Sequence, residues 1–165
     1  CKSDSMKKAL ILIILVFFGS VANSQQLTTV FNDEFSKWNY GSLSFRTVFN
    51  DEWDNWSCDG TTIKTTFSND WDRWEIGEVM MATSFANDFD SWEIRGHGKT
   101  IKVRTTFNED FERWDLSGDL DGTLRTVFSD DYDRWAVDVD WEGIHPELKM
   151  AVLFVAIFTA FHVVG

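Results

Sequence analysis

One stretch of this chain decides its fold: Ile63-Lys64-Thr65-Thr66-Phe67-Ser68-Asn69-Asp70-Trp71-Asp72-Arg73-Trp74-Glu75-Ile76. Its order of residue types is a Thr, a Phe two residues on, an acid three further, an aromatic next to it and a Trp three after that. This order occurs six times, at 29–38, 47–56, 65–74, 83–92, 105–114 and 126–135. Successive Phe residues are 18, 18, 18, 22 and 21 positions apart. Such self-similarity indicates a repeat architecture.

Each copy predicts a β-hairpin, because apolar and polar residues alternate on both sides of a polar centre. Folding the third copy back at Asn69-Asp70 sets Thr65 against Trp74 and Ile63 against Ile76 on an apolar face. The same register predicts Phe67 on that face, opposite Asp72. Applied to the other copies, it also predicts the pairs Phe45–Cys58, Met81–Ile94, Thr83–Trp92, Val103–Leu116, Thr105–Trp114, Leu124–Val137 and Thr126–Trp135.

The hairpin tips lack the Gly that a two-residue primed turn favours, so the sequence predicts a four-residue loop around a type I turn. The middle aromatic of each copy would then lean over the hairpin end on the polar face. Gly-rich linkers mark turns at the other end of the strands. The predicted fold class is all-β, an antiparallel meander of six tandem hairpins whose twelve or so short strands curl into a barrel or form two layers.

A helical alternative exists for the centre of each copy. Phe67, Trp71 and Trp74 have the i, i+4, i+7 spacing of two turns of amphipathic helix. Two isolated turns are weak, and the apolar residue two positions after the Trp continues a period of two. The hairpin is therefore favoured.

Residues 1–24 have the pattern of a secretory signal. Lys7-Lys8 precede the apolar run Ala9 to Phe18, and small residues follow up to Ser24, near which we expect cleavage. Met6 is the expected start, with Cys1 to Ser5 an upstream remnant. The predicted repeat domain is 25–143, and its single cysteine, Cys58, is predicted to be buried. We expect the product to be secreted, or to lie in the periplasm or cell envelope.

Residues 144–165 predict a hydrophobic C-terminal helix, with Pro146 at its first position. The segment is apolar on nearly all sides from Met150 to Phe161, which indicates a helix buried in protein or in lipid. Packing on the sheet is favoured, because the segment is shorter than the roughly 20 residues that span a bilayer. A membrane contact through 148–164 and a cleaved sorting tail are the alternatives.

The composition excludes some partners. The chain has 27 acidic and 15 basic residues and a formal charge of −12, which would repel a nucleic acid backbone. Its three histidines, His97, His145 and His162, do not recur with the repeat. No feature of the sequence singles out a residue as a catalytic nucleophile. We expect neither nucleic acid binding nor catalysis, and name no catalytic residue and no confident metal ligand.

Two groups of residues at the hairpin tips are candidates for binding. The tip carboxylates would share one edge of a meander and suit Ca²⁺, which takes several oxygen ligands, although acidic tips also serve solubility. The candidate cation-binding residues are Asp51, Glu52, Asp54, Asp70, Asp72, Asp130, Asp131 and Asp133. The candidate ligand-contact aromatics are the middle ones, Phe35, Trp53, Trp71, Phe89, Phe111 and Tyr132.

Tandem hairpins with periodic aromatics resemble the choline-binding and MORN-type repeat arrays in architecture. The Gly-aromatic sequence motifs of those two families are absent from this chain. The repeat Trp residues are predicted to form the core. We expect an exported, non-enzymatic binding or structural module that contacts a glycan or a protein. The alternatives are an envelope-anchored module, a low-affinity Ca²⁺- or glycan-binding protein and a small transmembrane barrel. The transmembrane barrel is disfavoured because the predicted strands are too short to cross a membrane.

Overall fold

The computed structural model describes residues 25–165, which form a closed antiparallel β-barrel of twelve strands with a helix at its C-terminal end. Each strand pairs with the next along the chain, and β1 pairs with β12 to close the barrel. The strands are β1 Gln25–Thr29, β2 Lys37–Tyr40, β3 Leu43–Thr47, β4 Asn55–Cys58, β5 Thr61–Thr65, β6 Arg73–Ile76, β7 Val79–Thr83, β8 Ser91–Gly96, β9 Lys99–Thr105, β10 Arg113–Gly118, β11 Gly122–Phe128 and β12 Asp131–Val139.

The all-β class predicted from the sequence is confirmed, and so is the C-terminal helix. The meander curls into a barrel, one of the two forms expected of it. The observed register sets Thr65 opposite Trp74 and Ile63 opposite Ile76, as the alternation predicts. The helical alternative is wrong, because Arg73–Ile76 is a strand. The predicted signal sequence lies outside the described residues.

Barrel closure depends on the pairing of β1 with β12, where Leu27 lies opposite Trp135 and Thr28 opposite Arg134. An open meander of this size would leave two edges with unpaired backbone groups, which invite association with other chains. Closure leaves no free edge among the strands that the structure describes.

The barrel interior contains the six repeat Trp side chains, and all of them are fully buried. Each Trp lies between a Thr on one neighbouring strand and an apolar residue on the other. Trp74, for example, is opposite Thr65 on β5 and Met81 on β7. The predicted role of these Trp residues as core is therefore confirmed.

The C-terminal helix, α1 (Pro146–Phe158), continues as a π-helical turn over Thr159–Val163. Residues on every side of it are fully buried, so it lies inside the barrel. Twelve strands enclose a lumen wider than side chains alone fill, and α1 fills it. Phe154 contacts the ring of Trp74 at 4.8 Å between centroids, and Phe158 contacts that of Trp92 at 5.1 Å.

Cys58 is fully buried opposite Phe45, as the sequence predicts. Burial, helped by the nearby charge of Asp59, raises the pKa of its thiol to about 12. The thiol therefore stays protonated at neutral pH and is a poor nucleophile.

The contacts of α1 with the Trp residues lead to a stability prediction. We expect Phe158→Ala to lower the free energy of unfolding by about 3–5 kcal/mol, because it leaves a cavity between α1 and the barrel wall. Urea denaturation followed by far-UV circular dichroism measures this.

The matched control is Phe85→Ala, which removes a side chain that is 72% exposed. We expect it to change stability by no more than about 0.5 kcal/mol. Equal effects of the two substitutions would contradict the burial of α1 in the lumen.

Candidate functional site

The six hairpin tips lie together at one end of the barrel, because alternate connections of a closed antiparallel meander share an end. We call this end the rim, and it comprises residues 30–36, 48–54, 66–72, 84–90, 106–112 and 127–133. It contains all the candidate residues predicted from the sequence. The structure therefore brings the predicted carboxylates and aromatics to one end of the molecule.

The tip turns differ from the predicted type I turns. In the third copy the amide of Asp70 donates to the carbonyl of Phe67 at 3.1 Å, and Asn69 between them has φ +60°. A positive φ at this third position belongs to type II turns, in which Asn and Asp replace Gly at modest cost. The equivalent left-handed residues are Asp33, Asp51, Asn87, Glu109 and Asp130. The type I prediction is wrong.

The middle aromatics, Phe35, Trp53, Trp71, Phe89, Phe111 and Tyr132, are half-buried and pack on the core. In every copy the carbonyl of this residue accepts a hydrogen bond from Nε1 of the Trp three positions on, at 2.6–3.2 Å. The two rings also lie 5.9–6.1 Å apart between centroids. This bond satisfies the buried indole N–H. The expectation that these side chains project from the polar face is wrong, because they turn towards the lumen.

Three middle aromatics also contact the C-terminal end of the lumen helix. Trp53 stacks on Phe161 at 5.2 Å, and Trp71 stacks on His162 at 4.6 Å between centroids. Phe89 lies 5.2 Å from Phe158. These rings close the rim end of the lumen over the helix, and their use as ligand contacts stays a prediction.

Some rim carboxylates join neighbouring hairpins. Asp72 accepts hydrogen bonds from the Thr83 hydroxyl at 2.9 Å and from the Asn87 amide at 2.8 Å, both in the next hairpin. Asp133 of the last hairpin accepts from the Thr29 hydroxyl at 3.2 Å and the Asp33 amide at 3.1 Å in the first. Asp133 therefore ties the two ends of the repeat together where the barrel closes.

Other rim acids accept an amide of their own loop. The carboxylates of Asp70, Asp88, Asp110 and Asp131 each accept from the backbone N–H two residues on, at 3.1–3.4 Å. These bonds hold the loop shape without a cation. Within residues 25–165, no three rim carboxylates have ligand atoms within 4.8 Å of one another. Calcium binding by the predicted residues, including Asp51, Glu52, Asp54 and Asp130, stays a prediction.

The repeat Phe residues are exposed, contrary to their predicted place on the apolar face. In the first five copies the strand ends two residues before the Phe, which therefore lies in the tip loop. In the sixth copy β11 continues to Phe128, but its register shifts between Thr126 and Phe128, so the alternation is broken there too. The exposed fractions are 58% for Phe31, 59% for Phe49, 61% for Phe67, 72% for Phe85, 65% for Phe107 and 58% for Phe128. Sequence reasoning missed this ring of aromatic side chains, although the recurrence of Phe in every copy pointed to it.

Below the rim, the outer wall carries a cavity of about 690 Å³ over β6 to β9. Phe85 and Ala82 contribute to its lining, and four basic side chains surround them: Arg73, Arg95, Lys102 and Arg104. Glu93 shares the cavity and pairs with Arg95. The cavity therefore places basic side chains beside the acidic rim.

Comparison with protein-family models, curated proteins and solved structures finds no match for this chain.

The bonds of Asp133 lead to a prediction about closure. We expect Asp133→Asn to destabilise the protein by about 1 kcal/mol, because a neutral amide is a weaker acceptor for the Thr29 and Asp33 donors. Thermal unfolding measures the loss. Asp51→Asn removes the same charge from an exposed residue in the left-handed region, which Asn tolerates, and should change stability by less than about 0.5 kcal/mol. If the two variants were equally stable, Asp133 would have no role in closure.

The pair Asp88 and Asp90 predicts a pH dependence. A hydrogen bond with Asp88, then burial and the charges of Asp88 and Glu109, raise the pKa of Asp90 to about 6. The folded state therefore binds this proton more tightly than the unfolded chain. The resulting stability is present below the unfolded pKa and is lost as the pH rises through about 6.

We accordingly expect Asp90→Asn to raise Tm by roughly 2–4 °C at pH 7.5, with the gain shrinking towards pH 4. Thermal melts across this pH range measure it. The control is Asp121→Asn, an exposed acid outside the rim. If Asp121→Asn raised Tm by the same amount with the same pH profile, the gain would come from removing any negative charge and not from the Asp88–Asp90 pair.

Proposed function

We propose that this protein is an exported, non-enzymatic β-barrel, built from six copies of one hairpin, that acts as a binding module at the cell envelope or outside the cell. Its rim binds a basic protein segment that carries apolar side chains. The ring of six exposed Phe side chains is the observation that carries the proposal. A monomeric protein rarely repeats an exposed large aromatic around one end without a use for it.

The exposed Phe ring is not required by the interior. The repeat Trp, the middle aromatics and α1 already fill the lumen and its rim end. Exposing Phe costs solubility, and its presence in all six tips places apolar contacts all round one end. Such a surface suits a partner that buries several aromatic side chains together.

The charge of the rim selects the partner. Carboxylates adjoin every Phe in the tip loops, and the whole chain has a formal charge of −12. A basic segment would gain attraction and a faster approach, whereas an acidic surface or a nucleic acid would be repelled. This combination favours a basic, apolar protein segment over a glycan, which needs no charge complement.

Export rests on the sequence of residues 1–24, whose charged, apolar and small regions have the order of a secretory signal. The same reading supports a secreted or periplasmic location after cleavage near Ser24. The non-enzymatic assignment rests on the rim, where carboxylates such as Asp72 and Asp133 accept hydrogen bonds from the amides and hydroxyls of a neighbouring hairpin.

The anchored alternative concerns the helical segment Pro146–Val163. It has 18 residues and a mean hydropathy of 1.5, so by length and composition alone it would suit a membrane, but 67% of it is buried. Leaving the barrel would remove Phe154 and Phe158 from the Trp rings and empty the lumen. The burial therefore supports the helix as part of the barrel core.

Binding of a synthetic Lys-Leu amphipathic peptide, followed by fluorescence anisotropy, tests the proposal. We expect saturable binding that weakens with salt. Changing Phe49, Phe67, Phe85 and Phe107 together to Ser should weaken it at least about tenfold, since burying one such side chain contributes about 1.5–3 kcal/mol.

The control is Met80→Ser, which alters an exposed apolar side chain on the outer wall. It should bind like the unchanged protein. The proposal would be refuted if the Phe variant bound the Lys-Leu peptide as tightly as the unchanged protein does. It would also be refuted if an acidic peptide of the same length bound as tightly as the Lys-Leu peptide. Binding of a glycan array alone would replace the protein segment with a sugar.

A further inference from the structure

Three parts of the chain meet at the base, which we define as the barrel end opposite the rim. They are the β6–β7 turn at Gly77-Glu78, the β8–β9 turn at His97, and the start of α1 at His145 and Glu147. His145 is the N-cap of α1, and Glu147 lies in its first turn. This convergence places two imidazoles and a carboxylate together, although none of the three belongs to the repeat.

The three side chains are in direct contact. Nε2 of His97 lies 2.8 Å from Oε2 of Glu147, and the rings of His97 and His145 stack with centroids 3.5 Å apart. One ligand atom from each residue lies within 4.8 Å of the other two. Among the described residues, this is the one group of three or more His, Cys, Asp or Glu side chains that meets this criterion.

The backbone around the cluster accommodates these side chains at some cost. His97 has φ +49° in a two-residue turn, a position where Gly, Asn or Asp is more usual. At Gly77 a Cβ atom would clash with the Glu147 carboxylate in its present position. The neighbouring Glu78 amide donates to Oε2 of Glu147 at 3.0 Å and fixes its direction. The carboxylate is thereby held beside the two imidazoles.

We propose that His97, His145 and Glu147 bind a divalent transition metal ion, with Zn²⁺ as the natural occupant. Two imidazole nitrogens and one carboxylate oxygen are ligands that Zn²⁺ takes at about 2.0–2.2 Å. Donors around such a centre are about 3.4 Å apart, which small side-chain rotations reach from the present positions. Ca²⁺ and Mg²⁺ prefer all-oxygen sites and do not suit two imidazoles.

The metal would replace interactions that now hold the cluster. One proton joins Nε2 of His97 to Glu147, and Nδ1 of His145 accepts the Glu147 amide at 3.2 Å. Coordination requires a free lone pair on each imidazole, so binding displaces the first proton and changes the cap or the tautomer of His145. A water molecule completes the fourth position, because the cluster is at the surface.

The site would tie the lumen helix to the barrel wall. His97 belongs to the wall, whereas His145 and Glu147 belong to α1, which runs from the base into the lumen. A metal bridging them stabilises the folded state without any contribution from the rim. The inference therefore does not rest on the proposed binding function.

The chain permits three conservative variants as tests. His97→Asn keeps a residue that tolerates the left-handed region, and His145→Asn keeps a good N-cap. Glu147→Gln keeps an acceptor for the Glu78 amide. The control is Asp59→Asn, in the equivalent β4–β5 turn, where Asp59 also has a left-handed φ of +47°.

Isothermal titration of the purified protein with Zn²⁺ should give one equivalent of binding, and hundredfold excess over Kd should raise Tm by roughly 5–10 °C. Each of the three variants should bind at least about tenfold more weakly, while Asp59→Asn binds as the unchanged protein does. Co²⁺ should give visible bands that are lost in His97→Asn. The site would be overturned if Zn²⁺ gave no heat and no Tm shift. It would also be overturned if the three variants bound Zn²⁺ as tightly as the unchanged protein does.

Discussion

The structure depends on filling a lumen. Twelve antiparallel strands close into a barrel that is too wide for its own inward side chains. Six buried indoles narrow the space, and the helix α1 occupies the remainder, with Phe154 and Phe158 against Trp rings. An apolar helix of this kind would be insoluble outside the barrel, and the barrel would be hollow without the helix. Each therefore supplies the apolar surface that the other must bury.

This arrangement explains most of the residue types in the repeat motif. The Trp belongs to the lumen, and the aromatic three residues before it offers its carbonyl to the buried indole N–H. In four copies the acid beside that aromatic accepts the loop amide two residues on. In some copies the next acid reaches the neighbouring hairpin. Thr lies across the strand pair from Trp. The side chain of the repeat Phe is exposed in all six copies and does not help to fill the lumen, and the proposed function therefore rests on it.

Much of the barrel could be predicted from local pattern. The pairs Thr65–Trp74 and Ile63–Ile76 follow from alternation, which holds wherever both strands are regular. The prediction was wrong at Phe67 and for the direction of Trp71, because a seven-residue connection separates β5 from β6 and the period of two does not cross it. The cluster of His97, His145 and Glu147 was beyond sequence reasoning, since its members are as much as 50 residues apart and meet only when α1 enters the lumen. Histidine in a turn beside glycine was the one available signal.

The two ends of the barrel thus differ in chemistry: the rim carries carboxylates and exposed Phe, and the base carries two imidazoles beside a carboxylate. Both depend on the position of α1, which ends among the rim aromatics and begins at the base cluster.

Nuclear Overhauser effects between Phe158 and Trp92 ring protons, in the isotope-labelled protein in aqueous buffer, test that position most directly. Their ring centroids are 5.1 Å apart, so cross-peaks are expected. If the Phe158 ring protons showed no cross-peak to any barrel Trp and gave cross-peaks to water instead, α1 would lie outside the barrel and the account would be wrong.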